Sequence, residues 1–134
     1  MSRNGYLDKD GNVVIEHQFD LASDFKDGLA LVQEEFNKTG FGYIQEDGTY
    51  FIEPKFENAR SFNEGVAAVK ERKESRFHYI DTNGERIENI ESDIGFSSID
   101  GVIRTVDFLN EKTRYVTREG KLIFEYNHLD QNIF

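Results

Sequence analysis

Few residues in this chain have a type and spacing that would support catalysis or metal binding. There is no cysteine, which excludes disulfides, thiolate metal ligands and thiol nucleophiles. The three histidines, His17, His78 and His128, show no His-x-x-x-His spacing, and no serine lies in a Gly-x-Ser-x-Gly motif. We therefore predict that the protein is not an enzyme and that it binds no metal and no cofactor.

An acidic segment near the N-terminus is the best candidate for a calcium loop. Asp8, Asp10 and Asn12 supply oxygen ligands at alternate positions. A calcium loop of this kind has glycine at its sixth position, whereas Gly11 here is the fourth residue. Asp and Gly at these places are instead typical of a type I turn closed by a glycine bulge, which predicts a β-hairpin.

A row of aromatic residues is the strongest candidate for a binding surface. Tyrosine recurs at four equivalent positions, and two of the tyrosines follow a phenylalanine placed two residues earlier. The residues are Tyr6, Tyr43, Tyr79 and Tyr115, with Phe41 and Phe77. If exposed, this row would stack on sugars or receive a peptide. Alternatively, the rings pack between successive structural units with their hydroxyls at the edge, because every copy must solve the same packing problem.

The tyrosines recur because the chain is built from repeats. Shifting the sequence by 37 residues aligns Gly5–Gln33 with Gly42–Lys70 without a gap. Four copies cover about residues 5–33, 42–70, 78–107 and 114–134, and the last two are degenerate. A fixed period with worn terminal copies is typical of a repeat array, so we predict a single β-repeat domain over residues 1–134.

Each copy carries the signals of short antiparallel strands. Glycine holds the same place in the turns that begin at Asp8, Gln45, Asp81 and Thr117. An aliphatic residue adjoins each tyrosine along the strand, so an aliphatic row and a tyrosine row lie on opposite faces. We predict three-stranded meanders at 29–33, 41–45 and 49–53; at 66–70, 77–81 and 85–88; and at 102–107, 113–117 and 121–125.

The segments between meanders have phenylalanine, alanine and phenylalanine at intervals of three residues, as in Phe19–Gly28 and Phe56–Gly65. This spacing predicts a short helical or 3₁₀ turn held to the core by two aromatic rings. The predicted fold is therefore all-β, with tandem three-stranded antiparallel meanders repeating about every 37 residues. Short helical-turn connectors join the meanders into a curved stack or a propeller-like ring.

The net charge opposes one class of partner and favours another. With 16 basic and 26 acidic residues the formal charge is −10, which opposes binding to a phosphate backbone and favours a basic partner. No apolar run resembles a signal peptide or approaches the ~20 residues of a membrane span. We predict a cytoplasmic protein that binds neither nucleic acid nor membrane.

The repeat consensus resembles the bacterial WG repeat, which is named for a Trp-Gly pair. The first two copies share Gly-Tyr-Leu/Ile-x-x-Asp-Gly-x-x-x-Ile-Glu-x-x-Phe-x-x-Ala-x-x-Phe-x-Asp/Glu-Gly-Leu/Val-Ala-x-Val. The pair itself reads Asn4-Gly5, Phe41-Gly42, Phe77-His78 and Thr113-Arg114 in this chain. The resemblance implies repeated short β units without enzymatic activity, and hence a binding or scaffolding role.

Together these observations favour a non-enzymatic β-repeat module that mediates protein–protein interaction. Two alternatives remain open. One is a carbohydrate or cell-envelope binder that uses the aromatic row, and the other is a small acidic inhibitor or immunity protein that neutralises a basic toxin. The side of the sheet that stays exposed, aliphatic or tyrosine, discriminates between protein binding and sugar binding.

Overall fold

The fold consists of antiparallel strands and turns in a computed structural model that describes residues 4–7, 13–36 and 38–128. The all-β prediction is confirmed. The strands are β1 (Asn4–Leu7), β2 (Val13–Phe19), β3 (Leu21–Ala22), β4 (Leu29–Gln33), β5 (Phe41–Gln45), β6 (Tyr50–Ala59), β7 (Val66–Glu71), β8 (Phe77–Asp81), β9 (Arg86–Ser92), β10 (Val102–Asp107), β11 (Lys112–Thr117) and β12 (Leu122–Asn127). Across the described residues there is no helix with the length and hydrophobicity needed to cross a bilayer.

The hairpin turns have the geometry that the repeated glycine predicts. Gly48, Gly84 and Gly120 have positive φ, and each donates its N–H to the carbonyl three residues earlier. These are type I turns closed by a glycine bulge, so the hairpin prediction is confirmed for β5–β6, β8–β9 and β11–β12. The first predicted turn and the calcium-loop candidate, at residues 8–12, lie outside the described residues.

Successive meanders merge into a larger sheet than the sequence predicts. Strands β3 to β9 form one seven-stranded sheet in chain order, with a separate two-stranded sheet β1–β2 and a separate three-stranded sheet β10–β12. The merger arises because β6 continues past its predicted end at residue 53 and pairs with β7, for example Ala59 with Val69. None of the three sheets closes on itself.

The prediction of helical turns between meanders is wrong for the described connectors. Phe56 and Ala59 lie in β6, and a β-bulge between Phe56 and Asn58 buries both side chains despite their spacing of three. Each connector ends in a turn whose two central residues have positive φ. These turns are Asp27–Gly28, Glu64–Gly65 and Asp100–Gly101. Two positive φ values define a type I′ turn, which joins antiparallel strands tightly without any helical segment.

The hydrophobic core lies between successive meanders. Tyr43 clusters with Ala67, Val69 and Ile80 of the next meander, and Tyr79 clusters with Ile103 and Val116 of the one after. The tyrosine side of one meander therefore packs on the aliphatic side of the next, so both predicted rows are used to join units.

The junction before β10 keeps this packing but lacks the strand pairing that joins β6 to β7, and Ser92 stands there in the position that Phe56 holds one copy earlier. The Ser92 hydroxyl accepts a hydrogen bond from the N–H of Val106 (2.8 Å), and Asp93 donates its N–H to the Val106 carbonyl (2.8 Å). At this junction a side chain takes part in the contact, whereas backbone pairing joins β6 to β7 at the junction before it. The continuous strand pairing of the central sheet stops at this junction, and β10–β12 forms a sheet of its own.

Candidate functional site

The repeated tyrosines share one hydrogen bond in the first three copies. Each donates its hydroxyl to a backbone carbonyl 17 residues later in the chain. The pairs are Tyr6 with Ser23 (2.7 Å), Tyr43 with Arg60 (2.6 Å) and Tyr79 with Phe96. The acceptor lies in the connector that leads to the next meander, so the hydroxyl fixes the position of that connector.

Two of these tyrosines belong to the core. Tyr43 and Tyr79 are fully buried. Burial raises the pKa of both phenols well above its usual value, so their hydroxyls remain protonated donors. Tyr6 is partly exposed, and burial assisted by the Asp24 carboxylate raises its pKa to about 12. The rings of Tyr43 and Tyr79, which were candidate binding residues, are therefore inaccessible to a sugar or a peptide.

The two phenylalanines of the predicted row also pack inward. Phe77 is buried, and the guanidinium of Arg60 lies 5.3 Å from the centroid of its ring. Phe41 is partly buried against the cluster that contains Tyr43, and its remaining surface lines a cavity. The six predicted residues therefore do not form one continuous exposed ladder.

Tyr115 differs from the other three tyrosines. It is partly exposed, and its hydroxyl has no hydrogen bond to any described residue. The register of β10, β11 and β12 places Arg104, Tyr115 and Phe124 side by side on one face. The ring centroids of Tyr115 and Phe124 lie 6.4 Å apart. The ring centroids of Phe124 and Tyr126 lie 6.1 Å apart.

This surface is named the terminal tyrosine face. It comprises Ile99, Val102, Arg104, Tyr115, Phe124 and Tyr126. Ile99 and Phe124 are 68% and 56% exposed, which is unusual for side chains of this size. The aliphatic side of a following meander buries the equivalent face in the two preceding meanders. In the part of the chain that the structure describes, no further meander covers the terminal tyrosine face.

A shallow cavity of about 330 Å³ lies at one end of the terminal tyrosine face. Its walls include Phe96, Ile99, Val102 and Tyr115, which are mainly apolar. The guanidinium of Arg104 stacks on the Phe96 ring at 5.0 Å, a cation–π contact that covers one wall. The cavity therefore suits an apolar side chain rather than a charged one.

Carboxylates in the type I′ turns connect successive units. Asp27 accepts a hydrogen bond from the N–H of Gly65 (2.8 Å), and Glu64 accepts one from the N–H of Gly101 (2.8 Å). Asp100 holds the same position in the third turn, but its side-chain carboxylate has no hydrogen-bond partner among the described residues. Beside the terminal tyrosine face, the last unit thus presents the carboxylate that earlier units use to bind their successor.

Glu64 shows how strongly such a carboxylate is held. Its Oε1 also accepts the Ser98 hydroxyl (2.6 Å), and Arg118 donates to the Glu64 backbone carbonyl (2.8 Å). The bond from Ser98, followed by the bond from Gly101, lowers the pKa of Glu64 below its usual value. Sequence reasoning missed this role. In the sequence, the signal for this role is the acidic residue that precedes glycine in the first three copies. The chemistry of the turn alone is enough to explain that residue.

Glu71, Glu74 and His78 form a cluster whose potential metal-ligand atoms lie within 4.8 Å of one another. The buried His78 Nδ1 lies 2.9 Å from Glu74 Oε2, and Arg86 Nη1 lies 3.5 Å from the same oxygen. Because the guanidinium already neutralises this carboxylate, the arrangement is better explained as an ion-pair network than as a metal site. Sequence reasoning placed His78 on a strand but missed its contact with Glu74.

Antiparallel strands in successive units, interlocked by a repeated tyrosine and a turn carboxylate, define an all-β repeat protein. The family model described as WG containing repeat matches residues 5–35 and 41–73. These two segments belong to the WG repeat family, which confirms the resemblance of the first two copies. The third and fourth copies lie beyond the matched ranges. Comparison with curated proteins gave no match.

Proposed function

We propose that the protein is a non-enzymatic β-repeat module that binds another protein through the terminal tyrosine face. One observation carries this proposal. The chain buries this type of face between units twice, and within the described residues it leaves the last one uncovered. Large apolar side chains that are exposed together are typical of interaction surfaces.

The two internal interfaces indicate the chemistry of the partner. Opposite Tyr43, the next meander presents Ala67, Val69 and Ile80, whose small or branched side chains let the two layers approach closely. Next to them, the N–H of Gly65 donates to the turn carboxylate of Asp27. The proposed partner therefore offers a β-strand of small aliphatic residues to Tyr115 and a free backbone N–H to Asp100.

Charge complementarity adds a second property of the partner. The chain has a formal charge of −10, so a basic protein would be steered toward it. Raising the salt concentration should then slow association, because screening weakens long-range attraction. Dissociation should change less, because the apolar contacts of Tyr115 and Phe124 do not depend on screening. An inhibitor of a basic toxin is a special case that the identity of the partner would decide.

The test is affinity capture from a lysate of the source organism with a matched pair of variants. Phe124→Asp places a charge in the terminal tyrosine face. Leu109→Asp makes the same change in the β10–β11 loop, at a side chain that is 90% exposed and outside this face. We expect wild type and Leu109→Asp to recover the same protein and Phe124→Asp to lose it. Circular dichroism would establish that both variants are folded.

The captured protein would then be purified and titrated against the three chains. A partner that Phe124→Asp binds as tightly as wild type would contradict the proposed face. Failure of any protein to bind, together with turnover on a substrate panel, would contradict the proposed function as a whole.

Sugar binding remains a second candidate because of one observation. Tyr115, Phe124 and Tyr126 form an exposed series of rings that resembles a stacking platform. A carbohydrate site would be confined to the terminal tyrosine face, because Tyr43 and Tyr79 are buried. A glycan array separates the two candidates, because sugar binding that is lost in Tyr126→Ala would favour the carbohydrate role.

A further inference from the structure

A second cavity lies where the first matched repeat meets the second, away from the terminal tyrosine face. It has a volume of about 410 Å³, within the ~300–1,000 Å³ range of small-molecule sites. Its lining includes Gln33, Phe36, Phe41, Phe56 and Arg72. Three aromatic rings, the Gln33 amide and the Arg72 guanidinium therefore border the same space.

Gln33 has an unsatisfied acceptor in this lining. The residue is only 6% exposed, and its Nε2 donates to the carbonyl of Thr39 (2.7 Å). Because a carbonyl can only accept, this bond fixes which end of the amide is nitrogen. The remaining atom, Oε1, is buried and has no donor among the residues that the structure describes. Such an acceptor is costly to leave unpaired, and a ligand with an N–H group would satisfy it.

Strand register explains why the space exists beside Gln33. Val32 is opposite Gly42, so Gln33 and Phe41 are the next neighbours across β4 and β5, and Phe41 is in turn paired with Phe56. Phe41 occupies the tryptophan position of the Trp-Gly pair that names the family. A phenyl ring is smaller than an indole ring and has no N–H, so it leaves both the volume and the Gln33 acceptor unfilled.

The outer wall of the cavity is held in place. Phe36, which is 57% exposed, donates its N–H to Asp20 Oδ2 (3.0 Å). In the same loop, Glu35 donates its N–H to the Thr39 hydroxyl (3.1 Å). These bonds fix the β4–β5 loop against the sheet without filling the space beneath it. The cavity is therefore formed before any ligand binds.

Arg72 contributes a positive charge to this lining. Its guanidinium forms no ion pair with a described residue. The other charged groups there are engaged, since Lys38 pairs with Glu35 (3.9 Å) and Glu57 pairs with Lys70 (3.7 Å). Arg72 is thus available to a carboxylate, which it binds in bidentate fashion.

We propose that this cavity binds a small planar aromatic acid. The aromatic ring packs against Phe36, Phe41 and Phe56. An N–H on the ligand donates to Gln33 Oε1, and the ligand carboxylate pairs with Arg72. This site is independent of the terminal tyrosine face, so either assignment holds if the other fails.

The experiment titrates the intact chain with indole-3-acetate and follows backbone and side-chain amides by NMR. Indole-3-acetate has the ring, the N–H and the carboxylate. Benzothiophene-3-acetate has the same shape without the N–H, and it should bind about three- to tenfold more weakly because one hydrogen bond is lost. The Gln33 side-chain amide should shift with the first compound and shift less with the second.

Three variants complete the test. Phe41→Trp should fill the cavity and abolish binding while the rest of the spectrum keeps its dispersion. Arg72→Ala should weaken binding by about two- to fivefold, as expected for an exposed ion pair. Lys73→Ala removes an adjacent exposed cation that does not line the cavity, and it should leave binding unchanged.

Two results would overturn the proposal. One is the absence of shifts at the lining residues with millimolar indole-3-acetate. The other is equal affinity for the two compounds combined with equal effects of the Arg72 and Lys73 substitutions, which would indicate nonspecific attraction.

Discussion

At the residue scale, one residue type serves two purposes. Tyr43 and Tyr79 are core residues whose hydroxyls hold a connector, whereas Tyr115 presents both its ring and its hydroxyl on the terminal tyrosine face. The sequence predicts that the four positions are equivalent, because the neighbouring residues repeat. It does not predict exposure, because burial depends on whether another meander packs over the ring.

The hydroxyl of Tyr43 should contribute to stability, and that of Tyr115 should not. Tyr43→Phe leaves the carbonyl of Arg60 without its donor, so we expect the free energy of unfolding to fall by about 1–2 kcal/mol. Tyr115→Phe removes a hydroxyl that has no partner among the described residues, so its effect should stay within about 0.5 kcal/mol. Urea denaturation measures both changes. Equal losses in the two variants would contradict the assigned roles.

Glu64 should make stability depend on pH in the acidic range. Its folded-state pKa lies below the unfolded value near 4.5, so the ionised carboxylate stabilises the fold above pH 4.5. This contribution is lost as the pH falls through the folded-state pKa. We therefore expect Glu64→Gln to lower the free energy of unfolding at pH 7 and to flatten its dependence on pH below about 4.5.

Urea titrations between about pH 7 and pH 3 measure this dependence on either side of the carboxyl pKa range. The exposed Glu119→Gln serves as the matched control, because its side chain makes no bond with a described residue. If Glu64→Gln and wild type lose stability in parallel on acidification, Glu64 does not hold the turns together.

At the element scale, the sequence predicts the hairpins well and the connectors poorly. Strands at 29–33, 41–45 and 77–81 agree with β4, β5 and β8, because alternation and the turn glycine are local signals. The spacing of Phe56 and Ala59 instead predicts a helical turn. A bulge gives the same spacing within a strand, and the pairing of β6 with β7 that requires it is a tertiary contact.

Gly42 should be intolerant of any side chain. A Cβ atom at this position would lie 2.7 Å from the carbonyl oxygen of Ile52 and 3.0 Å from the nitrogen of Pro54. Both are backbone atoms of β6, so they cannot rotate away. We expect Gly42→Ala to reduce the free energy of unfolding by about 1–3 kcal/mol in urea denaturation. A variant as stable as wild type would show that β5 and β6 separate without cost.

At the scale of the whole molecule, the assembly of the fold depends on which face of each unit packs against the next unit. Each unit has a tyrosine side and an aliphatic side, and units stack in one direction. The repeat period predicts this stacking. It does not predict that the sheet is continuous from β3 to β9 and interrupted before β3 and before β10, because strand pairing across a junction is a tertiary contact.

The sheet β10–β12 should open more readily than the seven-stranded sheet. It is joined to the rest of the fold by side-chain contacts, including those of Ser92 and Glu64, and by the Tyr79 cluster, whereas β5 and β8 lie inside a continuous sheet of seven strands. We expect amide hydrogens in β11, the central strand of its sheet, to exchange at least about tenfold faster than those in β5 and β8. Mass spectrometry of exchanged peptides measures the difference.

Ser92→Ala provides the internal control for this prediction. It removes the hydroxyl that accepts from Val106, so exchange should accelerate in β10–β12 and remain unchanged in β5. Uniform protection across all strands, or acceleration everywhere, would show that the array opens as one unit.

The hydrogen bonds between Asp27 and Gly65 and between Glu64 and Gly101 have the same polarity along the array. Each of these units offers a carboxylate acceptor to one neighbour and an N–H donor to the other. Growth by gene duplication therefore needs no new interface, because any added unit fits the last one. The same polarity has a hazard: identical chains that joined head to tail through such contacts would propagate into open fibres instead of closing into pairs. Mutual repulsion between chains of charge −10 would oppose that growth.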